Sequence, residues 1–281
     1  AGALLVCSLC LWRPERLPHG AARVEVLDVG QGLAVVVETR RHALLFDAGP
    51  SFRSGADAGQ LVVLPCLQAR GIRALDVLAA SHDDDDHKGG VASLLALLPV
   101  RRVIAGPSLG ELRDGAGSAV PLQRCRRRTR WHWDGVRFEW LHPGTTAHER
   151  DNDSSCVLLV TSREHRVLLT GDIEALAEAE LLARGLPGPV DVLVAPHHGS
   201  RSSSSEAFVR ATRPQWVVFA AGHRNRWGFP ARSVVQRWSD VGARTASTGS
   251  GGAVEFVERP GQPLGEPRLW RVAHHRLWQD P

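Results

Sequence analysis

A chain of 281 residues is long enough to bury a sizeable core, as one large α/β domain or two ordinary ones. Its 43% apolar and 23% charged residues are those of a folded domain, which excludes a disordered tail or low-complexity linker. The net charge of +4 is carried almost wholly by arginine, with Lys88 the single lysine, and favours an anionic partner only weakly. The absence of Met and Tyr beside abundant Ala, Arg and Val reflects a GC-rich coding bias. With no initiating Met, the sequence is expected to be a piece of a longer chain or a processed product.

Ala1–Trp12 is almost wholly apolar and stops at Arg13. It is too short to span a bilayer, which takes about 20 residues. It lacks the basic start and small-residue cleavage site of a signal peptide. Residues 1–20 are therefore expected to be the end of a transmembrane helix and a linker, with a buried strand or helix stub as the alternative. Cys7, Cys10, Cys66, Cys125 and Cys156 are odd in number and irregular in spacing, so they are read as ordinary apolar residues.

No period of 20 to 50 residues recurs, which excludes a solenoid or propeller. In chain order, Val24–Val29, Ala34–Glu38 and Ala43–Asp47 have the β-branched and apolar content of strands. Val62–Arg70 is expected to be a helix ending at Gly71. Leu75–Ala80 is a buried strand running into an acidic cluster, followed by helix Val91–Leu98 and strand Val100–Ile104. Trp131–Trp133 and Val136–Leu141 flank the hairpin signal Asp134-Gly135. Cys156–Thr161 and Arg166–Leu169 pair next, then a helix from Glu174 to Arg184 closed by Gly185. Val190–Ala195 and Gln215–Ala220 are buried strands, Ser202–Ser205 a flexible loop, and Ser233–Ser239 a short helix. Two β-then-α halves predict two facing sheets with helices outside, spanning residues 21–258. The Arg/Trp/Pro-rich tail 259–281 is expected outside the main core.

Four motifs each follow a predicted strand: Asp47 in Phe46-Asp47-Ala48-Gly49, the run His82-Asp83-Asp84-Asp85-Asp86-His87, Gly171-Asp172, and Pro196-His197-His198-Gly199-Ser200. Strand ends are where loop side chains converge over a rigid scaffold. Imidazoles and carboxylates converging there make a metal site, and the spacing of His82, Asp84, Asp86 and His87 suits a loop around two ions. A solvated acidic loop is the alternative. Two flanking His, the apolar strand upstream and Gly89-Gly90, which permits close backbone approach, count against it.

Together these motifs resemble the metallo-β-lactamase superfamily and, within it, the C-terminal hydrolase domain of ComEC-type DNA-uptake proteins of natural competence. The resemblance runs from Val24 to Glu258. It rests on Leu27-Asp28-Val29-Gly30-Gln31-Gly32, Asp47, Ser81-His82-x-Asp84-x-Asp86-His87-x-Gly89-Gly90, Thr170-Gly171-Asp172, Pro196-His197-His198-Gly199-Ser200 and Asn225-Arg226-Trp227-Gly228. It implies an αβ/βα four-layer sandwich and two divalent ions, with no organic cofactor. His82 and Asp84 would hold one ion and Asp86 and His87 the other. Asp172 would bridge, and one of His197 or His198 would complete the second site. The reading favours His198 as the ligand and His197 as the contact to the scissile phosphate. Asp84 stands where the wider superfamily has a second His, and Asn152 or Asp153 takes the place of a missing mid-chain His ligand. The oxygen-rich first site favours Mn2+, with Zn2+ possible.

Asp86, Asp172 and His197 are thus the expected catalytic residues. Arg224, Asn225, Arg226, Asp47 and Ser200 are the expected substrate contacts. Arg124, Arg126, Arg127, Arg128 and Arg130, followed by Trp131 and Trp133, read as a strand-binding patch or as part of a half-buried hairpin. The function implied is a DNA nuclease of transformation that degrades the strand not imported, with single-stranded DNA favoured. Its partners would be the membrane channel portion of the same polypeptide and the uptake machinery. A hydrolase of a small phosphodiester or thioester, and a non-catalytic DNA-binding module, are the competing readings. Arg13 and Arg16 after the apolar stub point to the cytoplasmic side, while the resemblance points to the periplasmic face, which is the expectation adopted.

Overall fold

A computed structural model describes residues 16–112, 117, 119–143, 151–186 and 188–274. The apolar stretch Ala1–Trp12, Arg13 and the tail beyond residue 274 lie outside the described residues. Six strands come first: β1 (Arg23–Val26), β2 (Val35–Glu38), β3 (Ala43–Phe46), β4 (Val77–Ala80), β5 (Val103–Ala105) and β6 (Leu122–Arg124). Then follow β7 (Arg130–Trp133), β8 (Val136–His142), β9 (Val157–Thr161), β10 (Arg166–Leu169), β11 (Val192–Val194), β12 (Trp216–Phe219) and β13 (Arg244–Ser247). The last two are β14 (Val254–Val257) and β15 (Arg268–Leu269). The helices are α1 (Leu64–Ala69), α2 (Asp85–Lys88), α3 (Val91–Leu97), α4 (Ala175–Ala183), α5 (Glu206–Thr212), α6 (Arg232–Asp240), α7 (Thr248–Gly251) and α8 (Trp270–Ala273).

Among these residues one sheet has the order β15-β14-β1-β2-β3-β4-β5-β6 and the second β13-β12-β11-β10-β9-β8-β7. Strand side chains alternate between faces, so each sheet has an inner and an outer apolar set. Val24, Val35, Leu44 and Phe46 of the first sheet meet Phe138, Trp140, Leu158, Val167 and Val192 of the second in the central core. The outer face of the first sheet, with Leu45 and Leu78, packs on Leu67 of α1 and Val91 and Leu94 of α3. The outer face of the second, with Leu168, Leu193 and Val217, packs on Leu181, Phe208 and Trp238 of α4, α5 and α6. Helix, sheet, sheet, helix: this is the expected four-layer sandwich.

Two local expectations need correction. Ser202–Ser205 is not a loose loop: Ser203 and Ser204 are buried, the N–H groups of Ser204 and Ser205 donate to Glu178, and Ser205 Oγ caps α5 by accepting from Phe208 N. The tail does not stay clear of the core, because β15 pairs antiparallel with β14 while Leu264 and Leu269 pack against the central cluster. For Trp131 and Trp133 the half-buried hairpin is the reading that holds: Trp131 stacks on Phe138 at 5.1 Å and Trp133 on His42 at 5.0 Å, both at the margin of the central core. Hairpin alternation sends the two indoles inward and their arginine neighbour Arg130 outward.

The cysteine expectation also fails. Cys125 and Cys156, both buried, form a disulfide across 31 residues. It ties the segment after β6 to the entry of β9. Closing a loop of that length stabilises the fold by about 3–4 kcal/mol through lost unfolded-state entropy. Replacing both cysteines by alanine should lower unfolding stability by that order, read from denaturant melts. A double variant as stable as its parent would contradict this.

One buried acid lies far from the strand-end motifs. Burial pushes Glu258 up to about 7, against the pull of Ser162, the Ala22 N–H and His165 and with a further push from Asp191. Its folded pKa exceeds the ordinary value of 4.5, so stability is whole below that value and is lost as pH rises through about 7. Glu258→Gln, which stays neutral and keeps an acceptor for Ala22 N, should gain about 3 kcal/mol over the parent at pH 8 and almost nothing at pH 4. Equal differences at the two pH values would show that this carboxyl does not titrate as described.

Candidate metal centre

The centre is built on the C-terminal ends of β3, β4, β10 and β11. Immediately after β3, Asp47 is fully buried with φ 59°, in the left-handed region. Its Oδ1 accepts Ser81 N at 2.6 Å, and its Oδ2 accepts Ser81 Oγ at 2.8 Å and lies 2.7 Å from His87 Nδ1. Asp47 is therefore not a substrate contact. It holds the His87 ring with Nδ1 as donor and so makes Nε2 the atom that would take a metal, the usual arrangement behind a metal-ligating imidazole. His82 Nδ1 lies 3.0 Å from Ser81 Oγ, so this serine braces both rings. Sequence reasoning quoted Ser81 within its motif but gave it no task.

The four aspartates divide alternately. Asp83 pairs with Lys88 at 2.5 Å, and Asp85 accepts from Ser51 Oγ at 2.6 Å, so these two fasten the loop. Asp84 and Asp86 turn toward the histidines: Asp84 Oδ2 is 3.4 Å from His82 Nε2, and Asp86 Oδ2 is 3.2 Å from His198 Nε2. Such a tight turn needs glycine behind it. A Cβ on Gly89 would sit 2.2 Å from Ser51 N, and one on Gly90 2.4 Å from the Ala48 carbonyl oxygen.

Asp172 follows β10 and is buried, its N–H donating to Ser155 Oγ at 3.2 Å. Its Oδ1 is 3.1 Å from His87 Nε2, and its Oδ2 is 3.4 Å from His198 Nε2 and 3.8 Å from His197 Nε2. After β11, His197 and His198 have φ of 48° and 53°, conformations that β-carbon residues hold only when their surroundings enforce them. Phe229 supplies part of that enforcement, its ring centroid 5.6 Å from that of His197 and 6.3 Å from that of His198. The two histidines separate in consequence. His198 is buried at the centre, whereas His197 stands at the rim with Nδ1 3.1 Å from Glu174 Oε1.

Among the described residues, two overlapping groups have ligand atoms within 4.8 Å of one another: His82, His87 and Asp172, and Asp86, His87 and His198. His87 Nε2 and His198 Nε2 lie 3.2 Å apart. His82 Nε2 and Asp172 Oδ1 are buried with no hydrogen-bond partner. Lone pairs crowded together and left orphaned are what a cation relieves. With protein atoms alone, protons meet that need. Burial alone would push His87 down, but Asp172 and Asp47 raise it well above the ordinary imidazole value. His198 is likewise raised to about 9, because Asp172 and Asp86 outweigh its burial. For Asp172, burial is outweighed by His198 and His87, which keep it ionised well below the usual carboxylate range. The donor set fits divalent metal.

Other expected residues are placed elsewhere. Asp153 is buried, and its Oδ1 accepts from the N–H groups of Glu174 and Ala177, capping α4 rather than reaching the centre. Asn152 Nδ2 is 3.5 Å from His197 Nδ1, at the rim and outside both donor groups. Ser200 Oγ pairs with Ser202 Oγ at 2.9 Å. Asn225 is a loop staple: its Nδ2 donates to the Gly222 and Phe229 carbonyls and its Oδ1 accepts Phe229 N. Arg224 and Arg226 are exposed on that stapled loop, Arg226 over the Trp227 ring at 4.3 Å. Ser155, Glu174 and Phe229 are contributors that sequence reasoning missed. Ser155 lies two residues after Asp153, and none of the three carried a signal of its own.

The family model of the metallo-β-lactamase superfamily matches residues 27–223, and the chain belongs to that superfamily as a metal-dependent hydrolase domain. It is 37% identical over 254 residues to competence protein ComA of Neisseria gonorrhoeae, covering 90% of this chain and 35% of that protein. It is 38% identical over 253 residues to recombination protein 2 of Haemophilus influenzae, covering 90% of this chain and 31% of that one. The chain thus spans about a third of the length of these curated relatives. Tm1679, a metal-dependent hydrolase of the β-lactamase superfamily, shares the fold with a TM-score of 0.52 at 16% identity, covering 84% of this chain and 100% of that one.

Proposed function

We propose that this domain is a dinuclear metal-dependent phosphodiesterase that cleaves DNA during uptake, degrading the strand that is not imported. The observation that carries the reading is the pair of donor groups sharing His87, with Asp172 facing both sides. His82 with Asp84 would hold one ion and Asp86, His87 and His198 the other, with Asp172 available to both. Divalent ions held there supply Lewis acidity toward a phosphate oxygen and bring water into range for attack near neutral pH. Asp47 fixes His87, Ser155 fixes Asp172, and His197, steadied by Glu174, contacts the scissile phosphate. Three carboxylates among the donors favour Mn2+ over Zn2+.

The names of the two relatives, which speak of competence and recombination, support DNA as the substrate. The buried Cys125–Cys156 disulfide supports the periplasmic face, since disulfides persist in oxidising compartments. Among the described residues no helix is long and apolar enough to cross a membrane. Membrane attachment is proposed through a channel portion of the same polypeptide.

The test uses purified protein with labelled single-stranded DNA, duplex DNA and a small phosphodiester. Replacing Arg224 and Arg226 together with Gln should weaken DNA binding and flatten its salt dependence, by about 0.7 per lost phosphate contact on single strands. Turnover of the small phosphodiester should stay close to that of the parent. Unchanged DNA affinity and salt slope would make the two arginines plain surface residues.

A further inference from the structure

On the outer face of the second sheet, below the C-terminal end of α4, lies a cavity of about 330 Å³ lined by Arg127, Arg128, Arg130, Arg137 and Arg184, with Glu139 and three leucines. Five guanidinium groups in one concavity raise a positive potential that an anion relieves. Three already have partners. Arg130 pairs with Glu139 at 2.7 Å, Arg184 with Glu180 at 2.8 Å, and Arg127 donates to the Arg184 carbonyl at 3.2 Å. Arg128 and Arg137 have no carboxylate partner among the described residues, and Arg137 Nε is buried with no hydrogen-bond partner. Arg128 is held at φ 69°, its N–H bonded to the Trp140 carbonyl, so a fixed bulge presents it rather than a floppy loop.

We infer that this cavity binds the phosphodiester backbone of the substrate strand a few nucleotides away from the bond being cut. Planar guanidinium forks match phosphate oxygens, and the leucine wall suits the sugar edge. Trp131 and Trp133 point into the core, so the pocket grips backbone without stacking on bases and is indifferent to sequence. Helix α4 sets the distance. Its N-cap Glu174 touches His197 at the metal centre, and its C-cap Arg184 lines the cavity. Ten residues at 1.5 Å each separate the two by about 15 Å, a span of roughly four phosphates of a stacked strand. The disulfide fastens the same two regions, since Cys125 precedes the arginine bulge and Cys156 follows Ser155, which holds Asp172.

The inference rests on the phosphodiesterase reading, and its test separates the two. Arg128→Gln/Arg137→Gln, the single Arg128→Gln and the charge-preserving Arg128→Lys/Arg137→Lys are compared with the parent on oligothymidylates of two and twelve nucleotides. Removing both charges should lower kcat/KM on the long strand by about tenfold and leave the dinucleotide unchanged. In chelator, without turnover, the salt slope of binding the long strand should fall by about 1.4, two contacts at 0.7 each, and the lysine pair should restore it. A slope unchanged by the double glutamine substitution overturns the inference, as does an equal loss on both lengths. If the parent cleaves neither length while the slope still falls, the phosphodiesterase reading fails and the backbone pocket stands. Loss of binding to phosphatidylglycerol vesicles, with oligonucleotide binding intact, would assign the arginines to lipid headgroups and overturn the inference.

Discussion

Replacing Asp172 with alanine abolishes hydrolysis in a protein that stays folded. The two oxygens of this carboxylate face different imidazoles, His87 at 3.1 Å and His198 at 3.4 Å, and Oδ1 has no hydrogen-bond partner of its own. Its charge is thus committed to the centre and not to the scaffold. The backbone beneath is held independently, with Thr170 Oγ1 donating to the Val194 carbonyl and Asp172 N to Ser155 Oγ, and neither bond uses the carboxylate. Losing one preorganised group in an active site costs about 10²–10³ in rate. A group that serves two ions at once should exceed that, so a loss on the order of 10³-fold or more is expected. Metal content should fall from two ions per chain, and the thermal melt should remain cooperative. Near-normal turnover in the folded variant would contradict the metal mechanism.

The second large effect is metal choice. Metal-free protein should be inactive, and manganese should restore more activity than zinc. The structure removes Asn152 and Asp153 from the argument, since the first stands at the rim and the second caps α4. It keeps Asp84 Oδ2 3.4 Å from His82 Nε2, so that side adds a carboxylate where a further imidazole would favour zinc. Imidazole-rich sites suit zinc, whereas carboxylate and water ligands suit manganese or magnesium. Zinc still binds more tightly on intrinsic affinity, so activity is the readout and not occupancy. Asp84→His should move the preference toward zinc. Higher activity with zinc than with manganese in the parent would defeat the ligand argument.

The strands were legible because residues buried on both faces write themselves as continuous apolar runs, as in Val77–Ala80 and Val192–Val194. The donors were legible because each follows such a run. What stayed hidden depends on contacts remote in sequence. Strand β14 pairs with β1 across more than 200 residues, which no local pattern announces. An odd cysteine count concealed a pair 31 residues apart. Asp47 and Asn225 were recognised as polar residues near the site, but a carboxylate or amide looks the same in sequence whether it meets a ligand or a neighbouring ring. The arginine–tryptophan run left two readings open in sequence, and strand alternation divides it between surface and core.

One measurement bears most directly on the claim that these six side chains, His82, Asp84, Asp86, His87, Asp172 and His198, hold metal that cuts DNA. Purified protein is stripped, reloaded with manganese, assayed for metal per chain, and incubated in the same preparation with end-labelled single-stranded DNA. The account predicts close to two ions per chain and strand cleavage that chelator abolishes and Asp172→Ala lacks. Fully loaded, folded protein that leaves the strand intact would contradict it.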